Sequence, residues 1–579
     1  PAAEVLAELW PELIGQLTFP KTMRWADLGM RFARPIRWLV ALYGPEEVRF
    51  EVAGVQSGRT SRGHRFLHPG PVELPSAADY LPKLDAAFVI ADIDQRKTLI
   101  RQRVEAAAEE AGGRARVPEG SPLLEEVSFL VEYPTCVCGS FPERHLSLPE
   151  PVLVTVMAKH QRYFPVEDAH GKLMPRFVAV RNGGDRSLET VRIGNETVIV
   201  ARFDDAEFYY TEDQKRPLSA HLPDLERVTF MERQGSLREK TERIVKLARD
   251  LCEELGLEAS AAEAAGKAAE LCKCDLVSLM VQDLTSLQGT MGAEYARLEG
   301  FPPAVCQAIA EHYQPRFAGD ELPASDGGKT VSLADKIDNL VACFALDLIP
   351  KGTSDPHALR RQAAGVLSIL LGARWRVDLP ALLAKALGRL PQRDLSNDQA
   401  LNALREFFAL RLDAVLEDAG VAYDIRRAVL AAPCPDLLDA HDRAIALQAA
   451  REGDGEAFEK TTYAAARVRK IIRPAEEQVA PSVAPDLFER DIEGALLSAT
   501  EDARQTAEPL LREPGERDYG GVWDALCRLE RPIWDYFDVD TGVMVMADDP
   551  AVRANRLATL READRLFLKL ADFSEIVVE

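Results

Sequence analysis

No stretch of this chain approaches the ~20 consecutive apolar residues that a helical membrane span requires, which excludes an integral helical membrane protein. It has no C-x2-C pair, the usual starting point of a zinc grip. Neither G-x-x-x-x-G-K-[ST] nor G-x-G-x-x-G occurs, so two common phosphate-cradling loops are excluded. Internal repeats and low-complexity tracts are missing too, which argues against a solenoid or a disordered tail. Net positive charge is also lacking. The formal balance of −23 counts against a non-specific nucleic-acid binder, which ordinarily presents a basic surface. Nine cysteines, an odd number scattered through 579 residues, suggest a reducing compartment rather than a disulfide framework. Cys136 and Cys138 share one face of a predicted strand. Cys272 and Cys274, read on a helix, point well apart and cannot grip one ion. All nine read as structural thiols, and no metal site is expected.

What is present describes a folded, multidomain chain. Hydrophobic residues at 47% and charged residues at 28% are ordinary for a packed protein. At roughly 100–200 residues per domain, three to five domains are expected. The chain opens at Pro1 inside a predicted helix carrying Val5, Leu6, Leu9 and Leu13, which reads as a truncated start. The first two hundred or so residues read as mixed α/β. Val127, Phe129, Val131 and Tyr133 alternate up to Pro134 and predict a strand. Phe177–Val180 predicts another, closed by Asn182-Gly183-Gly184. Ile100, Val104, Ala107, Ala108 and Ala111 predict a helix stopping at Gly112-Gly113. Beyond about Glu226 the pattern becomes helical. Ile244, Leu247, Ala248, Leu251, Cys252 and Leu255 form one apolar stripe ending at Gly256, and loops are expected near 314–329, 348–356 and 473–485.

Charge is unevenly spread. From Phe19 to His68 there are nine basic residues, Lys21, Arg24, Arg34 and Arg37 among them, against four acidic ones. Trp25 and Trp38 sit within this run. Arginine forks contact phosphates and tryptophan faces stack on bases; equally, the tryptophans can be core residues with arginines lying over them. A third cluster, Lys159-His160-Gln161-Arg162, is expected in a loop. Near the C-terminus, Arg467, Lys470 and Arg473 recur every three residues, a row able to follow a phosphate backbone. Arg553 and Arg556 are expected as surface neighbours on a helix capped by Asp549 and started by Pro550, with Leu557, Leu560 and Leu570 buried. Sixteen basic against twenty-four acidic residues over Lys460–Glu579 also allow plain solvated faces paired with Glu and Asp.

The order of motifs carries more information than any one of them. FPKTMRW, RPIRWLVALYG, SRGHRFL, LLEEVSFLVEYP, KHQRYFPV, GNETVIVARFDDAEFYY and QGSLREKTERI, followed by KCDLVSLMV, QGTMGAEYA, YQPRFAGDELP, LADKIDNL and DPHALRRQA, closely resemble the β subunits of bacterial heterotetrameric glycyl-tRNA synthetases over essentially the whole chain. The resemblance implies a tRNA(Gly)-binding subunit of an α2β2 enzyme in the cytoplasm. The α subunit would hold ATP and Mg²⁺, activate glycine and transfer it to the tRNA 3′ end. No cofactor is expected in this chain, which carries neither the HIGH/KMSKS pair nor a class II ATP-site signature. The implied layout is an α+β N-terminal region (1–225) for tRNA and partner binding, then a degenerate HD-like helical domain (226–375). A helical connector (376–455) and a helical anticodon-binding-like domain (456–579) complete it. The tRNA contacts are expected from Lys21, Arg24, Arg34, Arg37, Lys159, Arg162, Arg467, Lys470, Arg473, Arg553 and Arg556.

HD phosphohydrolases hold a metal with an early His, a His-Asp dyad and a later Asp. Here the early position reads Gly235-Ser236 and the dyad reads Cys274-Asp275, while Asp335 remains; His312 can be argued as a substitute, but a lone His beside Tyr313 is more often structural, so the domain reads as a dead hydrolase fold kept as scaffold. Asp275, four residues from both Leu271 and Leu279, is expected on an apolar helix face, where a carboxylate needs a partner. Two readings from other classes stay open at this point: a metal-dependent phosphohydrolase using Asp275, His312 and Asp335, and a free-standing RNA-binding protein.

Overall fold

A computed structural model describes residues 2–25, 27, 29–434, 436–512 and 517–577. The chain divides into two compact units, Pro1–Arg216 with Leu279–Leu287, and Pro217–Ser278 with Gln288–Glu579. The first is α+β and the second is almost wholly helical.

The first unit is built on a four-stranded antiparallel sheet ordered Arg114–Ala115, Phe164–Glu167, Leu173–Asn182 and Pro134–Ser140. Helix Ile93–Glu110, capped by Asp92 on the Gln95 amide, lays Ile100, Val104 and Ala108 on this sheet. Cys136 and Cys138 share a face against that core, opposite Val180 and Val178. Gly139 pairs with Phe177, whose ring would lie only 2.4 Å from any added Cβ. The absence of a side chain there lets Phe177 stack on Tyr163 at 4.6 Å. Segment Leu279–Leu287 belongs to this unit because Asp213, at the end of helix Leu188–Asp213, accepts the amides of Leu279 and Met280.

One strand expectation is corrected. Residues 122–130 form a helix, Pro122–Leu130, and the strand begins only at Pro134. Ser121 accepts the Leu124 amide and Pro122 sits in the first turn. Leu124, Val127 and Val131 then reach the core at i, i+3 and i+7, whereas Phe129 is 61% exposed. Alternation of bulky residues was present, but the cap and the 3.6 period decided the conformation. Helix Ala2–Gln16 forms where expected, although Ala3, Leu6 and Trp10 pack on Ala41, Val48 and Phe50 while Val5, Leu9 and Leu13 stay exposed.

In the second unit, helix Leu237–Glu254 opens on a reciprocal cap between Ser236 and Glu239 and buries Ile244, Leu247, Ala248 and Leu251. The buried helix Asp326–Ala345 is its axis, packed by Leu237–Glu254, Ala259–Leu271, Pro303–Glu311 and Leu359–Ala373. Helices from Asn397 onward share a further core running from Leu412 and Leu416 to Leu560, Phe567 and Phe573. The Asp549 cap and Pro550 start hold for helix Pro550–Phe567, and Leu557, Leu560 and Leu570 are buried.

Candidate nucleic-acid interface

Cys274, Asp275, His312 and Asp335 all lie in the second unit, where Lys273 stands between His312 and Asp335. Helix Ala259–Leu271 stops short, so Asp275 lies in a 3-10 turn, Cys274–Val277, and not on a continuing helix face; Leu279 is exposed. Its Oδ2 accepts the amides of Gly289 (2.6 Å) and Gly292 (3.0 Å). Burial pushes this carboxyl up to about 6, with the two amides opposing. Cys274 is buried and its thiol is raised by burial, so it is a packed, protonated group. His312 is fully buried. Its Nδ1 lies 2.6 Å from the Ile309 carbonyl and its Nε2 lies 3.1 Å from Lys273 Nζ, so one proton on Nδ1 satisfies both contacts. Burial and the neighbouring Lys273 hold the imidazole well below its ordinary pKa.

Lys273 also donates to Asp335 at 2.8 Å, and Lys240 lies 2.9 Å from the other Asp335 oxygen. Burial opposes ionisation of Asp335, but the two ammoniums outweigh it and hold the carboxyl well below the usual range. Lys240 continues to Asp338 at 3.1 Å, and Arg243 pairs with Asp338 at 2.6 Å. Lys273 therefore bridges the imidazole and the carboxylate. The Lys240, Arg243, Lys273 and Asp338 network was missed in the sequence; its one visible sign was a cation immediately before Cys274. Outside this centre, His145, Asp204 and Glu207 also come together, but Arg144 reaches both carboxylates, at 2.5 and 3.9 Å, and supplies the compensating charge.

The cationic candidates fall into two groups. Lys21, Arg24, Arg34 and Arg37 are exposed, on a segment folded back by a bridge between Met23 and Phe32. Trp25 is half-buried. Trp38 is 46% exposed with the Arg62 guanidinium 5.5 Å over its ring, so it is not a core residue. Lys159 lies in a π-helical turn, Val156–Gln161, rather than a loop; Arg162 closes it at φ 58° and pairs with Glu126 at 2.9 Å. In the last helices, Arg467, Lys470 and Arg473 have no carboxylate partner among the described residues, and Lys470 and Arg473 are exposed. Arg469, one step away, turns inward to Asp564 and Asp572.

Arg553 and Arg556 are not the expected surface pair. Arg556 is 5% exposed, bound to Glu493 at 3.0 Å and Glu489 at 2.7 Å, and also donates to the Met544 carbonyl. Arg553 donates to the Ala547 carbonyl from a half-buried position. Three-residue spacing makes helix neighbours, but the 493 helix covers one of them.

The family model for "Glycyl-tRNA synthetase beta subunit" matches residues 1–431. The "Glycine--tRNA ligase beta subunit" of Moorella thermoacetica is 42% identical over 581 residues, covering 100% of this chain and 82% of that relative. Those of Desulfitobacterium hafniense and Clostridioides difficile are 43% and 39% identical, over 99% of this chain and 82% and 81% of their own lengths. The chain belongs to the glycyl-tRNA synthetase beta subunit family. It is thus a subunit of an aminoacyl-tRNA ligase. In this member of the family, Lys240, Arg243 and Lys273 are neutralised inside the second unit, whereas Arg467, Lys470 and Arg473 have no carboxylate partner among the described residues. Among the described residues no helix is long and apolar enough to cross a membrane.

Proposed function

We propose that this chain binds tRNA(Gly) and presents its 3′ end to a glycyl-tRNA synthetase alpha subunit, in an α2β2 assembly in the cytoplasm. Glycine activation, with ATP and Mg²⁺, takes place on the alpha subunit. The C-terminal region from 456 acts in anticodon-arm binding and the α+β region in tRNA and partner contact. The observation that carries the reading is the row Arg467, Lys470 and Arg473, which no carboxylate neutralises among the described residues, in a strongly acidic chain. Unpaired cations spaced along one helix and its end suit a phosphate backbone, where each neutralised phosphate adds about 0.9 to the salt slope for a duplex. Lys21, Arg24, Arg34, Arg37 and Lys159 offer further cations to tRNA on the first unit. Lys273 argues against a phosphohydrolase, because its ammonium already satisfies His312 and Asp335.

Glycine charging of tRNA(Gly) by the alpha subunit, with and without this chain, tests the reading. Charging should depend on the chain, and Lys470→Glu with Arg473→Glu should weaken tRNA binding and flatten its salt dependence. Charging at the full rate without the chain would overturn it.

A further inference from the structure

Two aromatic rings on the second unit are placed unlike the others in its core. Tyr463, on helix Gly455–Ile472, and Trp534, on helix Glu530–Tyr536, lie parallel within 1° with centroids 5.2 Å apart. Yet they are 50% and 38% exposed. The packed aromatics of the same unit are buried and less parallel: Trp523 and Phe573 at 27°, Phe458 and Trp523 at 34°, Phe567 and Phe573 at 75°. Beside the exposed pair, the Arg467 guanidinium lies 4.3 Å from the Phe537 ring centroid and 6.0 Å from that of Trp534. Aromatic faces support it, with no carboxylate partner among the described residues; Lys470 follows on the same helix and Arg473 just past its end.

We propose that Tyr463, Trp534 and Arg467 form a stacking shelf for one unpaired base of the bound tRNA. A flat aromatic surface takes the π face of any base, and the adjacent cations take its phosphates. An acidic protein partner could meet the same cations and rings, and the two occupants differ in whether removing one base of the tRNA costs affinity. Arg467 serves twice, its guanidinium resting over Phe537 while its N–H groups remain for an oxygen of the same nucleotide. The proposal rests on the tRNA-binding reading and adds to it a particular kind of contact: one base, read by stacking, without hydrogen bonds to its edge.

The test uses the full chain together with its alpha subunit and fluorescent tRNA(Gly) transcripts, one set carrying a single abasic position at each unpaired nucleotide in turn. Trp534→Ala should weaken tRNA binding roughly 5- to 100-fold, the range of one base–aromatic stack. Trp534→Phe should recover most of it, and an unchanged melting temperature should accompany both variants. One abasic position should weaken the wild-type protein by a similar factor and add almost nothing to Trp534→Ala. Wild-type affinity in Trp534→Ala, or losses that add at every abasic position, would overturn the shelf while leaving tRNA binding intact. Loss of alpha-subunit association with tRNA affinity unchanged would make the patch a protein contact and equally overturn it. If the wild-type complex fails to bind tRNA, the underlying reading falls and the shelf falls with it.

Discussion

The buried centre around Asp335 and the outer edge of the last helices use lysine and arginine to opposite ends. In the centre, Lys240, Lys273 and Arg243 are each within 3.1 Å of a carboxylate and almost wholly buried. On the helix Gly455–Ile472 and just past it, Arg467, Lys470 and Arg473 have no such partner among the described residues, and two of the three are exposed. A buried charge without a partner is strongly destabilising, so the first set is committed to folding. An exposed cation costs little to leave unpaired, so the second set remains available to a polyanion. What a basic residue does here follows from burial and partner, and its spacing along the chain is a weaker guide.

Substitutions can break or sharpen this contrast. Lys240→Met should have the largest effect, since it strips a counter-ion from both Asp335 and Asp338; about 3–5 kcal/mol of stability should be lost in urea unfolding. Wild-type stability in that variant would mean the network is not what neutralises the two carboxylates. Arg556→Glu should lie close behind, at about 3 kcal/mol or more, because it sets a third carboxylate against buried Glu493 and its neighbour Glu489. Its loss of tRNA binding should therefore come with a lowered melting temperature, which distinguishes it from a direct contact.

Asp275 gives an intermediate, pH-dependent effect. Its folded pKa of about 6 lies above the unfolded value near 4, so the folded state holds the extra proton between those limits. Its stabilising contribution is whole below about pH 4 and disappears as pH rises through about 6. Asp275→Asn should remove that decline and be more stable than wild type at pH 7 by about 1–3 kcal/mol. Equal pH profiles in the two proteins would show that the carboxyl ionises normally. Asp335 has the opposite sign: its contribution is present above the unfolded pKa and is lost as pH falls into the acid range. The smallest change in stability is expected for Lys470→Glu with Arg473→Glu, within about 0.5 kcal/mol. The same pair should nevertheless lower tRNA affinity at physiological salt, measured by anisotropy. A large stability loss there would assign the row to the fold.

Much of the architecture was readable because local rules and tertiary packing agreed. Helices Ile93–Glu110 and Leu237–Glu254, the strand through Phe177–Val180 and the Asp549-Pro550 start all appear where period and cap place them. Segment 122–130 was misread because alternation of bulky residues looks alike in a strand and in a short capped helix. The site was less legible. Arg553 and Arg556 look equivalent in one dimension, and only helix Asp491–Leu510, carrying Glu493, makes one of them internal.

By itself the sequence determined the family and the change from mixed α/β to helix, since each is written in residue identity and order along the chain. Tertiary structure alone decided which cations are neutralised, that Lys273 sits between His312 and Asp335, and that Tyr463 meets Trp534. Those pairings join residues 39 to 71 positions apart, and electrostatic and stacking energies fall off over a few ångströms of space, a distance that separation along a chain does not encode.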